Sequence, residues 1–459
     1  MSFKFVGFSA FAVIVSTGSV YAQCLPDPAA PGDFVSCAAD DPDGIDLTGI
    51  ADIFLEVDSG VTVSNTDDTI RIGESGFVGN EGIIESLDET AIQSAGSIDG
   101  DGDPVPAAGL TVDNTGEIIS QGGDAIRGGD DTTVINGPNG FIAADDDAIQ
   151  TEGFDGLTVV NDGIITALDK GIDADDDDGV GGADLVVSNT GSIVTVDEAI
   201  EGGDGAEIDN FGVIFSFDDD AIQVADDGEI FNDFDAVIQS EGGDSIDIDS
   251  GFVDNLGLII TTAEGEAAID VDAGTDKSLE VLNEGVISGE TGILSDVDNT
   301  QSQLVFNNGL IEGYGGLAMD LGKGADLVTL FDGSKIVGGA DFGSGDDDLV
   351  LAGSDFDFDE ADIFDGNDGV DIVTFDLAFG AVESLFLRND IFKISLDGGD
   401  GPFSLRLRNW EIFSFADRDL SDLELAQLAE PTPVPLPAGA VLMVSGLGAF
   451  GLGRRRRRA

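Results

Sequence analysis

Two stretches decide the fold: Val159-Val160-Asn161-Asp162-Gly163-Ile164 and Val187-Ser188-Asn189-Thr190-Gly191-Ser192-Ile193. Both read apolar-x-Asn-x-Gly-x-Ile. Further copies centre on Asn80, Asn114, Asn210, Asn255, Asn283 and Asn307, with looser ones at Asn136 and Asn232. A second mark, an acid followed by Ala-Ile or a close variant, comes 10 to 14 residues after each asparagine. Its anchors are Ile70, Ile92, Ile126, Ile149, Ile172, Ile200, Ile222, Ile246, Ile269, Ile293 and Met319. They are spaced 22 to 28 residues apart, except for one interval of 34.

Short β-branched runs broken by Asn-x-Gly are strand and turn punctuation. Gly is expected to supply a left-handed turn residue, and Asn a bond to the local backbone. A repeat of about 22 residues lays each strand over its equivalent, roughly 4.8 Å away. One unit cannot bury its inner face, but a stack can. The period therefore predicts an all-β, parallel β-helix solenoid. Two short strands are expected per unit, with Ile and Val in interior ladders and Asn in turn ladders. Residues 139–401 hold no proline, which suits unbroken sheets. Leucine-rich repeats would show Leu-x-x-Leu-x-Leu, and propeller blades need about 40–45 residues each. The frequency of Gly and Asn opposes a helical solenoid.

The chain has 459 residues, with 93 acids, 17 bases and no histidine, for a formal charge of −76. Hydrophobic residues make up 42 %, enough to build a core. Such an acidic surface repels phosphate backbones, so nucleic acid is excluded as a partner. The lack of histidine removes Ser-His-Asp and Cys-His catalysis and every histidine metal site. Lys4 and five terminal arginines account for six of the bases, so the body is more acidic than the average.

Both ends differ from the body. Residues 1–22 read as a secretory signal peptide: Lys4, an apolar run from Phe5 to Val15, then Val20-Tyr21-Ala22. Cys24 and Cys37 are the only cysteines, and export favours a disulfide between them within an N-terminal cap, 23–59. Repeats fill 60–320, an Asp/Gly-rich continuation 321–375, and a Phe-rich β cap 376–428. A proline-rich linker, 429–437, leads to the final segment, 438–459. That segment is expected to form a hydrophobic helix, uncharged up to Arg454, Arg455, Arg456, Arg457 and Arg458, which would act as a membrane stop.

Val434, Pro435, Leu436, Pro437 and Ala438, followed by an apolar helix and an Arg cluster, resemble a VPLPA-CTERM sorting signal, a variant of the PEP-CTERM family. The resemblance implies an exosortase-type processing enzyme as partner and transient anchoring in the inner membrane. It also implies final display at the cell surface or in the extracellular matrix. The Asn-x-Gly-x-Ile copies resemble autotransporter passenger domains, which implies a right-handed coil. Gly322-Lys323-Gly324-Ala325-Asp326, Gly343-Ser344-Gly345-Asp346-Asp347 and Gly366-Asn367-Asp368-Gly369-Val370-Asp371 resemble repeats-in-toxin nonapeptides. That resemblance implies calcium at Asp326, Asp347 and Asp371. Copies 21 and about 23 residues apart keep the period of the body, however, and favour a continued coil.

Two enlarged units carry alternate aspartates suited to calcium: Asp99, Asp101 and Asp103, and Asp173, Asp175 and Asp177. Two residues before each anchor, Asp68, Thr90, Asp124, Asp147, Lys170, Glu198, Asp220 and Asp244 should form a column, with its carboxylates facing solvent. A structural or adhesive surface rod, binding extracellular polysaccharide or a cationic surface, accounts best for these features. The alternative is a secreted polysaccharide lyase or hydrolase using paired aspartates such as Asp146 and Asp147.

Overall fold

The computed structural model describes residues 24–429, apart from 99–103, 152, 176–181, 274–276, 360 and 400. The leader, most of the linker, the Val434 to Ala438 motif, the Arg tail, Asp99, Asp101, Asp103 and Asp177 lie outside the described residues.

The body is a parallel β-solenoid of about 14 turns with almost no helix. Each central turn has three short strands rather than two. One turn comprises Thr158–Asn161, Ile164–Ala167 and Ile172–Asp173. The next comprises Val186–Asn189, Ser192–Thr195 and Ile200–Gly202, paired in parallel and in register. Alternation directs every second residue inward. Ile126, Ile149, Ile172, Ile200, Ile222, Ile246, Ile269, Ile293 and Met319 therefore form one row of rung partners, all buried. Upstream, the row continues through Ile92 and Ile70 to Ile45. The 22-residue spacing thus becomes a continuous apolar core.

The Asn corner is satisfied by its own side chains. Asn161 Nδ2 donates to Asn189 Oδ1 at 2.8 Å and to Ser192 O at 3.2 Å. Asn161 Oδ1 accepts from Asn136 Nδ2 at 2.8 Å and from Gly163 N at 3.2 Å. The same amide chain runs from Asn80 to Asn307 without a gap. Glycine two residues later has a different cause from the one expected. Gly163 and Gly191 are not in the left-handed region. A Cβ on Gly191 would lie 2.1 Å from Gly163 O, so stacking, not φ, demands glycine.

The coil begins inside 23–59, where Phe34–Cys37 pairs in parallel with Phe54–Val57. Cys24 and Cys37 are joined as a disulfide, and Cys24–Leu25 lies antiparallel on Phe34–Cys37. Beyond residue 320 the same sheet continues through Leu327–Phe331, Asp348–Ala352 and Ile372–Phe375 to Ile412–Phe415. An antiparallel sheet of Val382–Arg388, Ile391–Asp397 and Pro402–Arg408 closes this end. Its aromatics fill the last turns. Phe342 and Trp410 meet edge to face at 5.0 Å, and Trp410 Nε1 donates to Phe364 O at 2.9 Å.

Candidate functional site

The chemistry-bearing side chains gather at the corner between the second and third strands of each turn. A hydroxyl starts that corner. Ser216 Oγ donates to Asp197 O and Ser240 Oγ to Asp219 O, each at 2.7 Å, and Thr261 Oγ1 bonds Gly243 O in the same way at 2.7 Å. Each ties its corner to the turn below. The recurring Ser or Thr before the acids was the sequence signal for this, and the repeat pattern alone passed it over.

The acids two residues before the anchors do form a column, but several are turned inward. Asp124 is 3 % exposed, Asp147 5 % and Asp244 7 %. The main chain of the stacked turn needs acceptors here, and the carboxylates supply them. Lys170 N donates to Asp147 Oδ1 at 3.0 Å, Asp244 N to Asp220 Oδ1 at 2.6 Å and Ala267 N to Asp244 Oδ1 at 2.5 Å. An expectation of solvated carboxylates therefore fails at these positions.

A second column stands beside the first, one residue after each anchor. Arg127, Gln150, Asp173, Glu201, Gln223, Asp247 and Asp270 are successive rung partners. Strand alternation could have revealed it, because residues next to an inward isoleucine point away from the core. Burial is the first cause of the raised pKa values of several of these acids, and neighbouring acids add to it. Asp124 and Asp220 are pushed up to about 7, Asp147 and Asp244 to about 8, and Asp247 to about 9. Lys170 breaks the run by pairing with Glu201.

The predicted calcium residues fall in two different settings. Asp173 is a buried member of the second column, whereas Asp175 sits in the following bend. Asp326, Asp347 and Asp371 are stacked one over the next, just before their strands, and are at most 1 % exposed. Gln303 N donates to Asp326 Oδ1 at 2.6 Å, Asp326 N to Asp347 Oδ1 at 2.8 Å and Asp347 N to Asp371 Oδ1 at 3.0 Å. The Oδ2 atom of all three is buried without a hydrogen-bond partner. Burial raises Asp326 to about 8 and Asp347 to about 7.

A hollow of about 270 Å³ lies near the C-terminal cap, lined by Gly316, Gly339, Asp341, Asp362, Asp365 and Arg408 among others. Its acids are already engaged. Arg408 pairs with Asp365, Asn367 Nδ2 donates to Asp341, and Gly338 N donates to Asp362 Oδ2 at 2.9 Å. Among the described residues, no helix is long and apolar enough to cross a membrane. Compared with known proteins, the chain matches no family model, no curated protein and no solved structure.

Proposed function

We propose that this chain is an exported, right-handed β-helical rod of the cell surface or extracellular matrix, with a structural or adhesive role. The observation that carries this reading is the uniformity of the coil. Register and the asparagine ladder persist from turn to turn, and a rod needs nothing more. At about 4.8 Å per turn the body is roughly 65 Å long. Its negative charge keeps copies apart and favours a cationic surface, or a polysaccharide held through cations, as its contact.

Residues 1–22 direct export, and the hydrophobic helix with its arginine stop holds the C-terminus in the inner membrane. An exosortase-type enzyme then cuts near Val434 to Ala438. Calcium at the glycine-rich turns of Asp326, Asp347 and Asp371 belongs to the same reading. The enzymatic alternative has less support. Asp146 is exposed, but Asp147 is buried and occupied by Lys170 N, so a sugar chain meets one carboxyl rather than two.

Mass spectrometry of the mature protein from surface and medium fractions tests the proposal. The expected product lacks the leader and is cut near the Val434 to Ala438 motif. An intact Arg tail retained in the membrane fraction would overturn the sorting claim.

A further inference from the structure

We propose that the outer face of the sheet built from the second strands is a self-association surface, on which a second copy of this chain docks face to face. The proposal goes beyond the rod reading and does not depend on it.

The alternation that buries Ile165 and Ile214 turns the residues on either side of them outward. One outward row runs through Ile164, Ser192, Val213, Val237, Leu258 and Val286, all in register. It extends to Phe141 at one end and Leu310 at the other. The row beside it, from Ala143 to Ser288, passes through Val194, Phe215 and Ile260. Neither row holds a charged residue between Glu117 and Glu312, which bound the stripe. In a chain with 93 acids this is a marked exclusion. Over the same turns the outer face of the first strands carries Glu207, Asp209, Glu229, Asp254 and Glu280.

The stripe is open as well as uncharged. Ile164 is 49 % exposed and Leu258 37 %. Corner side chains widen it: Leu168 and Phe217 follow their strands, and Phe211 and Phe234 precede theirs, all exposed. Phe217 packs edge to face on Phe215 at 4.6 Å, so the corner continues the apolar surface. Soluble monomers rarely leave so wide an apolar surface uncovered.

Charge and size select a second copy as the occupant. A cationic or strongly polar partner finds its contacts on the acidic faces, not here. Two copies repel wherever acids meet, and the stripe is the face on which they approach without burying a charge. A two-fold axis brings the same stripe to both sides, with matching rungs. Flat sheets of this kind pack about 10 Å apart, with strands within about 30° of each other. Eight strands at ~4.8 Å spacing, each ~13 Å long, give roughly 500 Å² per copy. The corner side chains bring this toward ~800 Å², one side of a standard interface.

The test is sedimentation velocity of the full chain over a range of concentrations. Wild type should form a dimer, with Kd on the order of 10⁻⁶ M in about 0.15 M NaCl. Raising the salt to about 0.5 M should tighten it, because screening weakens the repulsion between the rods. Leu258→Glu and Val237→Glu each place an unpaired carboxylate in the contact, and should weaken the dimer at least ~tenfold. Val186→Glu is the control: Val186 is 37 % exposed on the outer face of the first strands, and its substitution makes the same charge change. It should leave the dimer intact. Circular dichroism checks folding, and either stripe variant suffices if the other fails that check. A dimer that persists in the folded stripe variants, an equal loss in Val186→Glu, or weakening by salt would overturn the proposal. So would a chain that stays monomeric at about 100 μM, far above the expected Kd. Flotation of that monomer with phosphatidylcholine vesicles, abolished by Leu258→Glu, would assign the face to a lipid surface instead.

Discussion

Two corners of the same coil solve the same stacking problem with different chemistry. At the asparagine corner each side chain carries both donors and acceptors, so amides bond head to tail through ten turns from Asn80 to Asn307. At the aspartate corner the ionised side chain only accepts. It can satisfy a main-chain N–H of the next turn, as Asp220 and Asp244 do, but it cannot bond its own copy. The amide ladder is complete in itself. The acid ladder needs something from outside: a proton, a base such as Lys170, or a metal ion.

The largest break in this contrast should come from exchanging the two chemistries. Asn161→Asp puts a buried charge against Asn189 Oδ1 and removes both donors. We expect a loss of about 3 kcal/mol or more in urea unfolding. If the variant proves as stable as wild type, the ladder is ornamental. Emptying the shared core comes next: Ile200→Ala, in the middle of the isoleucine row, should cost about 3 kcal/mol by the same assay.

Acidity sharpens the comparison, since only one corner titrates. Asp124, Asp147, Asp220 and Asp244 have folded pKa values raised to about 7 or 8 from 3.8. The folded state therefore binds more protons than the unfolded chain between these limits. Its stabilising effect is full below about pH 4 and lost as pH rises through 7 to 8. The melting temperature in metal-free buffer should fall from pH 5 to pH 8.5, and a flat or rising profile would contradict the burial of these acids. The smallest effect is local. Asp220→Asn keeps the acceptor for Asp244 N and removes a charge, so it should stabilise by about 1 kcal/mol at pH 8 and far less at pH 5.

Much of the fold was legible because a repeat writes each contact many times. Asn161 and Asn189 announced a ladder, and Ile126, Ile149, Ile200 and Ile222 announced the row they form. What the pattern hid was cause. Gly191 looked like a turn residue chosen for φ, but what excludes a side chain there is the carbonyl of the turn beneath. Composition likewise made Asp147 and Asp244 look solvated. They turn inward because stacked corners present N–H groups that the carboxylates accept. The candidate site was half visible. The sequence showed Asp146-Asp147 and Asp173, yet grouped Asp173 with its chain neighbours, because rung-to-rung proximity is invisible until the register is known.

Both ends of the described coil finish in antiparallel strands, Cys24–Leu25 at one and Arg418–Ser421 at the other. A bare parallel end would template another copy and let molecules polymerise into fibres of arbitrary extent. The antiparallel strands on Phe34–Cys37 and Ile412–Phe415 guard part of each end against such growth.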